Sequence, residues 1–460
     1  MAKETEIKLR VSPSDMQRLA AHPLLEQHRC QDWQTRPLLN AYYDTPARDL
    51  ARAQVALRIR QDGEQRIQTL KSKGCSVAGL SERNEWDWMI DGDSLVLAHL
   101  DDSCWPASLH DLDKQQLVEL FRTDFTRQSV ELALSWQDQP VRIEVALDQG
   151  LVRTADEDEQ ICELELELRE GPAAALLDLA LQLAQDIPLM PCDISKAERG
   201  YRLLQADSFE LQVSAATLDA EQSAESAFAA LMQEKLAASQ RLAEQYRHAG
   251  HWKLLQQWVA QLVAMRALLG SMGQVVPRKN SHDLRQLLDA LLADWQPRMQ
   301  AGGQSREQRD AMPAAFAGEL ANTRWGCFSL QLALWLHQQR WGEGRNARAE
   351  RQAQAPLNRW LPRVLQEEAQ ALGLEAYKLK AYALGEQLPR LERLLVWLES
   401  ARQQLAPAQL DDTLGALRQL HQAAVGGEPE ATAACLLRLG ADKGWKQLVR
   451  GTLQADTTQA

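Results

Sequence analysis

The chain has no paired cysteines. Its seven, Cys30, Cys75, Cys104, Cys162, Cys192, Cys327 and Cys435, are scattered, odd in number and never in a C-x-x-C pair. That pattern indicates neither a disulfide framework nor a zinc site. No stretch approaches the roughly 18 apolar residues of a membrane-spanning helix. The opening Met-Ala-Lys-Glu-Thr-Glu-Ile-Lys carries charge where a secretory signal needs an apolar core. A protein of the reducing cytoplasm with no membrane partner is expected. Positive charge is also in short supply, with 51 Lys and Arg against 63 Asp and Glu and a net charge of -12. Non-specific grip on nucleic acid depends on cations displacing counterions from phosphates, so nucleic acid is not an expected partner. No cysteine or histidine, Cys75, His22 and His28 included, stands in a recognisable nucleophile–base arrangement.

At 460 residues the chain is long enough for two domains. Its acidity is confined to the first of them: residues 1–218 hold 23 basic and 38 acidic side chains, and the remainder is close to neutral. Period-2 runs of half-buried strand type occur at residues 4–11, 55–60, 66–71, 82–89, 141–147 and 161–168. Helical patterns fall at 14–26, 112–120, 172–186 and 195–205. Past residue 218 the strand patterns stop, and Ala, Leu, Gln, Glu and Arg recur at helical spacing. The expected architecture is α+β: a β domain over residues 1–205, a polar linker over 206–217, and an all-α bundle over 218–460. Trp252, Trp258, Trp295, Trp325, Trp335, Trp360 and Trp397 stand beside Leu and Ala at helical spacing and are read as core of that bundle.

Side chains two apart in a strand share a face, and here the polar faces are charged throughout. Glu4, Glu6 and Lys8 share one face; Arg58 and Arg60 share another; Glu163, Glu165 and Glu167 line a further one opposite Leu164, Leu166 and Leu168. Any one such strand fits a sheet with one face in water. Taken together they differ from a solvated surface, because acid-rich and Arg-rich strands are segregated. Arg forks suit the oxygens of a polyphosphate, and carboxylates suit a hard dication that polarises a phosphoryl group and orients water.

These residues carry a family resemblance. Glu4-Thr5-Glu6-Ile7-Lys8 is the ExExK signature of the CYTH, or triphosphate tunnel metalloenzyme, superfamily. Tyr42-Tyr43-Asp44-Thr45, Leu57-Arg58-Ile59-Arg60, Thr69-Leu70-Lys71 and Arg83-Asn84-Glu85 resemble its following motifs in order, completed by Arg127, Glu144 with Asp148, Glu163-Leu164-Glu165 and Ser195-Lys196. The resemblance implies an eight-stranded antiparallel β-barrel with flanking helices, a tunnel in which inorganic triphosphate is hydrolysed. It implies that Lys8, Arg58, Arg60, Lys71, Arg83, Arg127 and Lys196 contact phosphate oxygens and stabilise transferred charge. By the same resemblance Glu4, Glu6, Glu163 and Glu165 hold Mg²⁺ or Mn²⁺, and Asp148 binds a second metal or orders the water. Glu85 and Glu144 stay open between a direct role and pairing with nearby Arg.

The helical half is similar to a CHAD domain, which implies polyphosphate as a ligand. Its signature stretch, residues 259–269, retains Arg266 and lacks the family's His and second Arg. Arg278, Lys279, His282 and Arg285 form a second basic group, read either as an anion site at a helix start or as a solvated helix end. The tunnel scaffold also accommodates a class IV adenylate cyclase, or a thiamine-triphosphate or RNA 5'-triphosphate hydrolase, each needing a pocket for its organic group. A non-catalytic polyphosphate-binding protein is the remaining alternative, one with no use for the acidic pairs.

Overall fold

The structure, a computed structural model, describes residues 2–72, 74–77, 80–204, 215–273, 275–373, 381–402 and 407–452. Most of the expected linker, residues 206–214, lies outside them. The chain divides into two compact units. One comprises Met1–Leu211, Ala243–Ala249 and Ala314–His337; the other comprises Gln212–Leu242, Gly250–Pro313 and Gln338–Ala460. Among the described residues no helix is long and apolar enough to cross a membrane.

The first unit is built on β1 (Ala2–Arg10), β2 (Gln34–Asp44), β3 (Ala56–Asp62), β4 (Gln65–Lys71), β5 (Cys75–Val77), β6 (Leu80–Met89), β7 (Val118–Trp136), β8 (Gln139–Arg153), β9 (Asp158–Glu170) and β10 (Met190–Pro191). All pairings are antiparallel, in the order β10-β1-β9-β8-β7-β2-β3-β4-β6-β5. β1 also pairs with β6, from Ala2 opposite Glu85 to Glu6 opposite Ser81. That contact joins the ends of the run and closes an eight-stranded barrel, leaving β5 and β10 outside the ring.

Five helices accompany the strands: α1 (Met16–Ala20), α2 (Pro23–His28), α3 (Asp49–Arg52), α4 (Ala174–Asp186) and α5 (Lys196–Leu203). The single helix expected over 14–26 is two, because Pro23 lacks an N–H and opens a new helix at its first position. The helix expected over 112–120 is absent. That segment makes a 3-10 turn at Lys114–Gln116 and enters β7, where Val118 and Glu119 pair with Asp44 and Tyr43. Strand pairing there overrides the helix propensity of Leu, Lys and Gln.

β1 and β9 are apolar on their outer faces. Ile7, Leu9, Leu164 and Leu166 are fully buried there, on the faces opposite Glu6, Lys8, Glu163 and Glu165. α4 covers β1 and β9, and the helix Arg324–His337 packs on α4 within the same unit. A second apolar cluster, Leu50, Val55, Leu57, Leu70, Leu100, Trp105 and Leu109, seals the outside of β3 and β4. Each fully buried Leu contributes about 1.5–3 kcal/mol, which offsets the cost of lining the inside with charge.

α5 packs against the barrel with Ala197 and Leu203 on Leu38, Tyr42, Phe121 and Phe125. Its first turn is fixed by a capping box, Ser195 accepting from the Glu198 N–H while the Glu198 carboxylate accepts from the Ser195 N–H. The approach depends on Gly200, where an added Cβ would lie 2.2 Å from the Phe121 ring.

In the second unit the helices Trp252–Ser271, His282–Gln304, Leu357–Leu372, Leu388–Ser400 and Pro407–Val425 pack pairwise. Trp258 meets Trp295 edge to face at 4.8 Å and Trp360 meets Trp397 at 5.2 Å. Of the seven tryptophans read as core, six are buried, and Trp252 is half-buried at its helix start.

Gly200→Ala is expected to force α5 off Phe121 and to cost about 1–3 kcal/mol, as overpacking of a filled core does. The check is urea unfolding followed by circular dichroism; an unchanged midpoint would show that the helix tolerates the displacement.

Candidate active site

The inside of the barrel is a cavity of about 280 Å³. Glu4, Glu6 and Lys8 from β1, Arg58 and Arg60 from β3, Lys71 from β4, Arg83 from β6, Arg127 from β7, Glu165 from β9 and Lys196 from α5 all line it. Strand order sorts these charges. The neighbouring strands β7, β2 and β3 form a basic arc with Arg127, Arg36, Arg58 and Arg60. The neighbours β8, β9 and β1 form an acidic arc with Glu144, Glu165, Glu167, Glu4 and Glu6. β4 and β6, between the arcs, carry both signs: Lys71 Nζ lies 2.7 Å from Glu4 and 3.1 Å from Glu85, and Arg58 lies 3.6 Å from Glu85.

Asp148 and Glu163 do not line the cavity. They are buried behind Lys196, whose ammonium donates to Asp148 at 2.7 Å, to Glu165 at 3.0 Å and to Glu163. Arg127 donates to both Asp148 oxygens at 2.7 Å, a bidentate fork, and to Glu165 at 2.5 Å. Oxygens of Asp148, Glu163 and Glu165 lie within 4.8 Å of one another, close enough for three carboxylates to share one cation. Behind Glu163, the fully buried Arg199 donates to it at 3.1 Å and to Glu159 at 2.8 Å.

Burial works against every charge in this lumen, and the partners decide the outcome. Glu6 and Glu165 hold the Lys8 ammonium above its ordinary value, and Asp148 and Glu165 do the same for Arg127. Lys196 and Arg127 hold Glu165 well below the usual carboxylate range despite its burial. Arg60 goes the other way. Burial, with Arg58 and Arg127 beside it, pulls its guanidinium down to about 9. Its side chain donates to neutral Asn40 at 2.8 Å and forms no ion pair among the described residues. Arg58 Nε is buried without an acceptor. The basic arc therefore holds more positive charge than its own acids neutralise, and an anion would relieve it.

Glu85 and Glu144 both face the cavity, each paired with basic neighbours: Glu85 with Lys71 and Arg58, Glu144 with Arg169. Arg36, Asp87 and Arg169 also line it and were not expected. One further step of alternation finds Asp87 from Glu85 and Arg169 from Glu167, and three steps find Arg36 from Tyr42 through Asn40 and Leu38. Asp44, within a quoted motif, is a structural acid that accepts from the N–H groups of Thr45, Leu50 and Ala51 and from the Tyr201 hydroxyl. In the second unit Arg266 pairs with Asp289, and Arg285 donates to the Ser281 and Arg278 carbonyls.

A closed barrel with a basic and an acidic arc offers an anion site beside a cation site. Residues 2–201 match the family model described as the CYTH domain. A Haemophilus influenzae protein named inorganic triphosphatase is 34% identical over 210 residues, covering 44% of this chain and 55% of that protein. The chain thus matches about half the length of this relative. Among solved structures, a Hippeastrum protein described as a putative adenylyl cyclase with a dominant triphosphatase activity is 22% identical. That alignment covers 43% of this chain and 95% of the other, with a TM-score of 0.32. A putative adenylate cyclase from Bacillus halodurans is 19% identical over 41% of this chain and 94% of its own, with a TM-score of 0.25.

Glu159 yields a test of the support behind the site. Burial raises its pKa, but Arg199, Arg202 and Arg10 outweigh that and bring it from 4.5 to about 2. A carboxylate depressed on folding stabilises the fold above its unfolded pKa, and that contribution fades as pH falls through the folded value. Glu159→Gln is expected to cost on the order of 3 kcal/mol at pH 7, with the gap to the parent narrowing between pH 5 and pH 2. Urea unfolding across that range checks it; a gap independent of pH would mean that the charge on Glu159 contributes nothing.

Proposed function

We propose that the barrel hydrolyses inorganic triphosphate to pyrophosphate and phosphate with the help of a divalent metal. The observation that carries this reading is the basic arc of Arg58, Arg60 and Arg127, with Arg60 in no ion pair among the described residues, facing an acidic arc across a closed lumen. A simple anion trap needs only the first; the second suits a hard cation beside the anion. The cavity of about 280 Å³ is at the small end of the roughly 300–1,000 Å³ of ligand pockets, which favours a bare triphosphate over one bearing a nucleoside. The relative named inorganic triphosphatase supports the same substrate.

The carboxylates that line the lumen, Glu4, Glu6 and Glu165, fit Mg²⁺ or Mn²⁺ as oxygen donors; Asp148 and Glu163, which the resemblance adds to them, stand behind Lys196 and would reach an ion only if that ammonium gave way. Such an ion, when bound, would polarise the phosphoryl group and lower the pKa of a water. The chain's own part is electrostatic. Arg58, Arg60 and Arg127 bind non-reacting oxygens and take up charge that builds on the leaving pyrophosphate. Lys8, Lys71, Arg83 and Lys196 hold the substrate in line from the other walls, and the closed wall limits access of bulk water. No side chain needs to act as a nucleophile. We further propose that residues 1–205 form the tunnel domain and 218–460 a CHAD-like domain, and that the protein acts in the cytoplasm. Arg266, the signature cation retained in that half, is paired with Asp289.

Phosphate release from inorganic triphosphate is expected to require Mg²⁺ or Mn²⁺ and to stop with EDTA. It should exceed release from ATP and fall at least about a hundredfold in Glu6→Ala, the scale on which one group stabilising a transition state acts. Cyclic AMP formation from ATP, with triphosphate left intact, would overturn the assignment. The Arg60→Met variant, which removes a lumen guanidinium that forms no ion pair among the described residues, should raise KM more than it lowers kcat.

A further inference from the structure

Arg10 continues the inward face of β1 two residues beyond Lys8 and stands opposite Glu163 in the β1–β9 register. Its bidentate partner is not on a strand. The buried guanidinium donates to both oxygens of Glu244, from the last turns of the helix Ala224–Ala249, through Nε at 3.1 Å and through Nη2. Glu244 is fully buried, belongs to the same compact unit as the barrel and does not line the cavity. Arg247 Nε lies 3.2 Å from it and Arg202 Nη2 lies 3.5 Å away. Glu159 is the other acid of the group, accepting from Arg10 at 3.0 Å, Arg199 at 2.8 Å and Arg202 at 2.7 Å.

Charges therefore alternate in a line from Glu244 through Arg10, Glu159, Arg199 and Glu163 to Lys196. Four guanidiniums share two carboxylates at its outer end. Without Glu244, Arg10 would keep a buried charge with half its compensation, and an unpaired buried cation draws in the nearest acid. Beyond Glu159, that acid is Glu163, its register partner, which now holds Lys196 and Arg199.

We propose that Glu244 is a positioning residue for the triphosphate site: by satisfying Arg10 it leaves Glu163 to Lys196 and so fixes where that ammonium meets the lumen. The inference rests on the tunnel being a triphosphate site. An acid more than 30 residues past the barrel's last helix then sets the affinity of a pocket it never touches.

The test is calorimetric binding of inorganic triphosphate in EDTA to the full chain, so that no turnover is needed. Glu244→Gln is expected to weaken Kd about tenfold at unchanged stoichiometry. The charge-balanced double variant Arg10→Met with Glu244→Gln should return to within threefold of the parent. Glu244→Asp keeps the charge but draws it back by one methylene; it should bind threefold to fivefold more weakly, and carries the test if the glutamine variant does not fold. A Kd within twofold of the parent in the variant that carries the test overturns the inference. So does a fall in stoichiometry alone, which a merely structural role would produce, or a double variant as weak as the single. A parent that binds no triphosphate overturns the tunnel reading together with this one, whereas a parent that binds beside an equally tight Glu244→Gln overturns this one alone.

Discussion

The ammonium of Lys196, enclosed by Asp148, Glu163 and Glu165, is the contact on which the rest of the lumen depends. Three carboxylates within 4.8 Å of one another cannot all stay ionised in a buried place unless a cation stands among them. Lys196 supplies that cation from the first turn of a helix whose capping box and whose glycine against Phe121 fix its position. Arg127 and Arg199 complete the balance from either side. With the floor neutralised in this way, the charges further along the lumen are free to be unequal. Arg60, with Asn40 and no acid for a partner among the described residues, shows where the surplus lies.

Much of this arrangement is legible in the alternation of single strands. Glu4, Glu6 and Lys8, or Arg58 and Arg60, announce a charged face by spacing alone, and the structure gathers all five around one cavity. Alternation cannot say how deep a residue lies. Asp148 and Glu163 carry the same signal as Glu144 and Glu165, yet they sit behind the lining, because depth depends on where α5 docks. The helix expected over 112–120 failed for a related reason: its Leu and Gln are good helix formers, and only the presence of β2 alongside makes Val118 a strand residue. Glu244 was beyond reach. On a helix rich in Glu, Gln and Arg it looks like any solvated acid, and nothing in its neighbourhood marks the barrel arginine that it meets.

The outer faces of β1, β9, β3 and β4 are apolar and need covers, whereas β7 turns exposed Arg122, Thr126 and Gln128 outward. The covers come from separated parts of the chain: α4 over β1 and β9, with the helix Arg324–His337 on α4 and β10, and residues 95–117 over β3 and β4. Nine of the eleven expected site residues on strands reach the lumen because these covers fix which face is out.

The helix Arg324–His337 has a consequence for heredity. It packs on α4 in the barrel's own unit, and Gly326 sits so close to the Leu189 carbonyl that an added Cβ would lie 1.9 Å from it. A gene cut after the last strand would encode a barrel that keeps α4 over β1 and β9 but bares the face of α4 that this helix covers. A new partner fused to the N-terminal segment would have to cover that face in its turn.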